Sequence, residues 1–185
     1  MATLFIMSGY RIGDQQAIHF LTFTVVDWID LFSRRIYRDI VLDSFRHCQE
    51  HKGLQVHAWV IMSNHVHAIL STPQGRLSDV VRDMKAHTSR SIIDAIENGN
   101  ESRREWMLTR FAANAVATAR NEHYQVWTHD NHPLQLQPFT TRQRAEYIHK
   151  NPVRAGWVDE QRDYLYSSAR DYQDEPGLLK ITRLW

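Results

Sequence analysis

His65 and His67 stand two residues apart inside the run Val56-His-Ala-Trp-Val-Ile-Met-Ser-Asn-His-Val-His-Ala-Ile-Leu70, and that spacing is the first chemical signal in the chain. On a strand, residues two apart share a face, with Cα atoms roughly 6.5 to 7 Å apart, a span over which two imidazoles can converge on one divalent ion. The pair would be half of a metal site. Alone it is weak evidence, because a chain with 11 His in 185 residues produces a His-x-His readily by chance. Its context strengthens it. Val60, Ile61 and Met62 precede the pair, and Ala68, Ile69 and Leu70 follow it, so the histidines sit where a core strand belongs. A polar group buried there needs a partner or a ligand. The competing reading is two histidines on a solvated strand face.

A second signal lies far downstream. Tyr147 and Asn151 are four apart, which on a helix puts a phenol hydroxyl and an amide on one face. From helix geometry alone, a core tyrosine with a capping asparagine explains the same spacing.

The elements that must position these groups follow from the pattern. His19–Val26 is rich in β-branched and aromatic residues and reads as a strand, after a poorly patterned start. Ser33 is a candidate N-cap for a helix through Tyr37, Ile40, Val41, Phe45 and Cys48, with His51-Lys-Gly53 as its stop. Strands flank Ser63-Asn64, which reads as a hairpin turn or bulge leading into the histidines. After Pro73-Gln-Gly75, Leu77, Val80, Val81, Met84, Thr88, Ile92 and Ile96 recur at helical spacing, closed by Asn98-Gly99, with Arg82, Lys85 and Ser89 on the opposite face. The stretch from Glu101 to Glu122 is Ala- and Arg-rich and partly helical, and Tyr124–Trp127 resumes a strand-like pattern. Thr140 or Thr141 caps a helix through Tyr147 and Asn151 that Pro152 is expected to end.

Composition narrows the classes. With 43% hydrophobic and 23% charged residues, 185 residues suit one domain with extensions at 1–16 and 173–185. No apolar run approaches the roughly 18 residues of a membrane span, and no secretory pattern opens the sequence, so a cytoplasmic protein without a membrane partner is expected. Cys48 is the only cysteine, which excludes an intrachain disulfide and a thiolate cluster. Any metal must therefore be held mainly by His, carboxylate or amide groups. The net charge of +1 does not announce a nucleic-acid binder, but the distribution is uneven. From Arg142 to Arg154 four basic residues (Arg142, Arg144, Lys150, Arg154) face one acid, Glu146, whereas Arg76 to Arg110 balances seven against six. Trp127, His129, Asn131 and His132 form a further polar and aromatic cluster that reads first as a structural loop.

Three segments together carry a resemblance. Ala58-Trp-Val-Ile-Met-Ser-Asn-His-Val-His67, Glu146-Tyr-Ile-His-Lys-Asn-Pro-Val-Arg-Ala-Gly-Trp-Val158 and Tyr164-Leu-Tyr-Ser-Ser-Ala-Arg-Asp-Tyr172 resemble single-tyrosine HUH transposases, specifically the REP-associated tyrosine transposases. The similarity runs from about His19 to Tyr172. It implies an α+β fold with a ferredoxin-like or RRM-like palm, an antiparallel sheet with helices on one face and extra C-terminal helical decorations. It also implies His65 and His67 as metal ligands, Tyr147 as nucleophile and Asn151 as third protein ligand, where insertion-sequence relatives commonly carry Gln. The implied cofactor is a divalent metal, Mg²⁺ or Mn²⁺, although two imidazoles also accept Zn²⁺ or Ni²⁺. The implied reaction is cleavage and rejoining of single-stranded DNA at hairpin-forming repeats through a 5′-phosphotyrosine, by a homodimer or a monomer. Arg82, Lys85, Lys150 and Arg154 are the candidate DNA-backbone contacts. A DNA-hairpin-binding protein that no longer transposes and a phosphoesterase without a tyrosyl intermediate are the alternatives.

Overall fold

The structure is a computed structural model that describes residues 11–118 and 123–185. Its frame is a four-stranded antiparallel sheet, β1 (His19–Thr24), β2 (Gln55–Ile61), β3 (His65–Ser71) and β4 (Leu134–Gln135), in the order β2-β3-β1-β4. Helices α1 (Arg35–Lys52) and α2 (Leu77–Asn98) connect β1 to β2 and β3 towards β4, which gives the ferredoxin-like arrangement. Helices α3 (Arg104–Thr118) and α4 (Pro138–Arg154) are additions to that core.

Strand alternation divides the sheet into two faces. Leu21, Phe23, Val66, Ala68 and Leu70 point one way and pack with Val41, Phe45, Val81, Met84 and Ile92 of α1 and α2 in the main core. Phe20, Ala58, Val60 and Ile69 point the other way and receive Ala145 and Ile148 of α4. Thr22, paired with His67, and Thr24, paired with His65, lie two and four residues along the strands from Phe20 and Ile69 and therefore share the α4 face. A bulge between Val56 and Ala58 shifts the β2–β3 register, and within it His57 is buried and satisfied on both nitrogens by Thr182 O and Ser71 Oγ, each at 2.8 Å.

Several boundaries differ from the sequence expectation. Ser33 does not cap α1: its hydroxyl donates to Asp30 O within a short 3₁₀ turn, and the helix starts at Arg35, while Gly53 (φ +64°) closes it in the left-handed region as the stop signal implied. Tyr124–Trp127 is not a strand. It makes one bridge, Trp127 to Val25, with Val26 N donating to Val126 O, and the strap then bonds β1 at Thr128, whose amide donates to Thr24 O, and at Asn131, whose carbonyl accepts from the Thr22 amide. α4 starts earlier than expected, at Pro138, with Gln137 and Thr140 forming the capping box. It also runs past Pro152, which is buried inside it. Pro152 lacks the N–H that would reach Ile148 O, and the Asn151 side chain approaches that carbonyl at 3.5 Å while bonding Tyr147 O. Of the 101–122 stretch, residues 119–122 lie outside the described residues, as do 1–10 of the N-terminal extension.

The segment from Tyr164 onward, which includes the poorly patterned extension 173–185, is laid along the free edge of β2. Ile61 N donates to Tyr166 O, Ser168 N to Trp59 O and Thr182 N to Val56 O, and Leu179 is buried. Covering that edge removes a row of unpaired backbone groups. Among the described residues no helix is long and apolar enough to cross a membrane.

Candidate active site

The two histidines emerge from the start of β3, immediately after the Ser63-Asn64 turn. Their ring centroids are 4.7 Å apart. Each Nδ1 is held: His65 Nδ1 lies 2.7 Å from Asn64 Oδ1, and His67 Nδ1 lies 2.9 Å from Thr22 Oγ1. The Asn64 contact fixes a tautomer. Asn64 Nδ2 donates to Trp28 O and Asp30 Oδ1, so its Oδ1 can only accept, and His65 must donate from Nδ1, leaving a lone pair on Nε2. Thr22 can accept from His67 Nδ1 in the same way. A metal-ligating histidine characteristically has its other nitrogen held by such an acceptor.

Burial also keeps these rings neutral. It pushes the His67 imidazole down to about 3, with the neighbouring His65 adding to the effect, and it lowers His65 as well. Among the described residues no group of three or more His, Cys, Asp or Glu converges as a metal site. Further ligands to an ion would thus be an amide, a phosphate oxygen or water, a mixed nitrogen and oxygen set.

Helix α4 brings up the tyrosine. Ala145 and Ile148 anchor the helix on Phe20, Ala58, Val60 and Ile69, which leaves Tyr147 half-buried at the rim of that contact. Its ring meets His67 edge-on at 5.5 Å and Phe20 at 6.1 Å, while Phe20 stacks on His67 at 5.3 Å. The Arg154 guanidinium sits over Tyr147 at 5.3 Å, and that of Arg144 over Phe20 at 5.6 Å. Gln143, Arg144, Glu146, Tyr147, Lys150 and Arg154 line a cavity of about 220 Å³. Glu146 is engaged by Arg142, whereas Arg144, Lys150 and Arg154 form no ion pair among the described residues. The cavity is therefore a cationic pocket beside a phenol, suited to phosphate.

The structure thus brings together His65, His67, Tyr147, Lys150 and Arg154. Asn151 follows on the next turn of α4, with its amide nitrogen donating to Tyr147 O at 2.7 Å. Arg82 and Lys85 are elsewhere, on a second cavity of about 500 Å³ between α2 and the strap around Trp127 and Asn131. Arg82 is paired with Asp79 and Asp83. The Lys85 ammonium donates to Thr128 O and Asn131 Oδ1, and burial lowers it to about 8 against the pull of Asp130. Trp127 is buried, its ring tilted against Phe32 at 5.7 Å and its indole N–H donating to Thr88, in keeping with a structural loop. His149 also lies away from the phenol, buried against Ser168 Oγ (2.9 Å) and Tyr172 (5.1 Å). The residues that sequence reasoning missed are Thr22, Asn64, Phe20 and Arg144. Only Arg144 carried a signal, its spacing of three before Tyr147.

The family model of IS200-like transposases matches residues 17–130, more than half of the chain, and this chain belongs to that family. It is accordingly a transposase, a DNA-cleaving enzyme. The matched stretch includes both histidines and ends before Tyr147. Among solved structures, a REP-associated tyrosine transposase bound to a REP hairpin is similar over 97% of this chain and 94% of that one, with 16% identity and a TM-score of 0.61. That similarity bears out the α+β fold. A crystal structure described as a transposase candidate from Deinococcus radiodurans R1 is similar over 78% of this chain and 97% of that one, with 19% identity and a TM-score of 0.44. No curated protein matches the chain.

Proposed function

We propose that the chain cleaves and rejoins single-stranded DNA at hairpin-forming repeats, with Tyr147 as nucleophile and His65 and His67 as holders of a divalent ion. The observation that carries this reading is the 5.5 Å meeting of the Tyr147 and His67 rings beside a cationic pocket. The REP hairpin bound by the similar solved structure supports a hairpin partner here.

In this reading Tyr147 Oη attacks the phosphorus, a P–O(Tyr) bond forms and the P–O3′ bond breaks. The phenol loses its proton and the 3′ oxygen gains one. The products are a 5′-phosphotyrosine and a free 3′-hydroxyl, which keep the bond energy for rejoining. Arg144, Lys150 and Arg154 bind phosphate oxygens, and Arg154 and Phe20 hold the Tyr147 ring. His65 and His67 fit a divalent ion, Mg²⁺ or Mn²⁺, with Asn151 as third protein ligand. When bound, the ion supplies neutralisation of charge on a non-bridging phosphate oxygen. One chain provides both histidines and the tyrosine, which supports a monomer over a homodimer in this reading. Arg82 is a distal backbone contact, and Lys85 holds the strap beside it.

The test is incubation with labelled hairpin DNA carrying single-stranded flanks and Mn²⁺, followed by denaturing electrophoresis. A covalent protein–DNA band is expected, and hydrolysis without one would overturn the tyrosyl mechanism.

A further inference from the structure

The segment Val25-Val-Asp-Trp-Ile-Asp-Leu31, directly after β1, leaves a tryptophan in water. Val26, Ile29 and Leu31 are buried, yet Trp28 between them is 65% exposed. Its backbone is unusual too, since Asp27 and Trp28 both sit at φ +54°, a left-handed region that bulky side chains avoid. Such geometry persists only where the surroundings over-determine it, and it clusters at functional sites.

The surroundings here are specific. Asp27 Oδ2 accepts from Arg110 (2.7 Å) and from Asn114 (2.9 Å), both on α3. Asn64 donates to Trp28 O (3.4 Å) while its Oδ1 accepts from His65. One asparagine therefore orients the candidate metal ligand and holds the tryptophan loop. The indole lies edge-on to His65 at 6.1 Å and opens a continuous series of rings, followed by His65 to His67 at 4.7 Å and His67 to Tyr147 at 5.5 Å. An indole neither titrates nor accepts hydrogen bonds, and this one contributes little to the core. What it offers is a rigid π surface, within reach of the nucleotides that flank a phosphodiester held at Tyr147.

We propose that Trp28 is a stacking platform for one unpaired base of the DNA next to the scissile phosphate. The proposal rests on the single-stranded substrate of the preceding section. Stacking on an aromatic side chain is tolerant of sequence, since every base has a π face, so the platform would hold the strand in line without reading it.

The test measures affinity for a DNA hairpin with oligothymidine flanks, using the Tyr147→Phe chain so that nothing is cut. Added Trp28→Ala should weaken binding by about 5- to 100-fold, and Trp28→Phe should recover most of it. An abasic residue is then walked through the flanks. At one position it should weaken the Trp28 protein and leave Trp28→Ala within about twofold, because the base that stacks is already gone. An Ala effect under about twofold on the intact probe, or one that persists at every abasic position, would overturn the platform. Failure of the Trp28 protein itself to bind the probe would instead remove the single-stranded substrate, and the platform with it.

Discussion

Asn151 donates its side-chain amide to the carbonyl oxygen of Tyr147, 2.7 Å away and four residues earlier on α4. A carbonyl only accepts, so the atom facing it is nitrogen, and Oδ1 is the atom left for a ligand. The same side chain lies near Ile148 O, the acceptor that Pro152 strands. In the proposed mechanism, Asn151 would thus link the helix that carries Tyr147 to the metal site. Asn151→Asp sets a carboxylate against the Tyr147 carbonyl, so it should lower thermal stability and cleavage together. Asn151→Ala should cost about 1 kcal/mol of stability through the lost back-bond and weaken Mn²⁺ binding. Calorimetric titration with Mn²⁺, paired with thermal melts, separates the two. Unchanged Mn²⁺ affinity in Asn151→Ala would take Asn151 out of the ligand set.

Tyr147→Phe removes one oxygen from a half-buried ring and keeps its contacts with His67, Phe20 and Arg154. Cleavage and the covalent band should disappear while hairpin affinity changes by less than about threefold. Cutting at the parent rate would mean that another group attacks the phosphate.

Metal affinity should respond to residues that touch no metal. Asn64→Ala removes the acceptor that fixes the His65 tautomer, and Thr22→Val removes the partner of His67 Nδ1. Each should weaken Mn²⁺ binding by about 10- to 100-fold, and the double replacement of His65 and His67 by Ala should abolish it. Titration calorimetry on the folded variants decides this, and Mn²⁺ binding undiminished in the double variant would leave the histidines a purely structural role.

How far these parts were legible in the sequence depends on whether a period or a tertiary contact sets them. The sharing of a face by His65 and His67 follows from strand alternation, and the relation of Tyr147 to Asn151 follows from the helical repeat. Asn64 read only as a turn residue, because its partners Trp28 and Asp30 come from a distant loop. Lys85 read as a candidate DNA-backbone contact on the polar face of its helix, since nothing local predicts that the 125–133 strap folds over that face of α2. Pro152 read as a helix stop because its rescue is a side-chain contact and a buried ring, neither of which leaves a periodic trace. The C-terminal strap pairs by isolated backbone bonds to β2, so no alternating pattern announced it.

His149 supplies a pH signature independent of the metal site. Burial pushes its imidazole down to about 4 from the ordinary 6.5. Between those values the unfolded chain binds a proton that the folded chain refuses, so this contribution is whole above about pH 6.5 and is lost as pH falls towards 4. Replacing His149 with Gln, which can still bond Ser168, should flatten the fall by about 2 kcal/mol at pH 5. Urea midpoints of both proteins at neutral pH and at pH 5 check it, and parallel losses would show that His149 is protonated without penalty.

Salt dependence distinguishes the cations around Tyr147 from those on α2. Each phosphate contact on a single strand releases counterions and contributes about 0.7 to the slope of log affinity against log salt. Arg144, Lys150 and Arg154 line the pocket beside the phenol and hold no carboxylate among the described residues. Neutralising any of them to Gln should reduce the slope by about that amount, with little dependence on base sequence. Arg82→Gln must first release Asp79 and Asp83, so its slope change should be smaller. Lys85→Met should leave the slope unchanged, because its ammonium is already bonded to Thr128 and Asn131. In the proposed mechanism, in-line attack by Tyr147 also needs a flexible, unpaired phosphodiester, so a fully duplexed version of the same site should be inert. Binding at several salt concentrations, with cleavage of matched single- and double-stranded substrates, measures both. Slopes that fall for Lys85 and hold for Arg144 would move the DNA path to the α2 cavity, and efficient cutting of the duplex would end the single-strand mechanism.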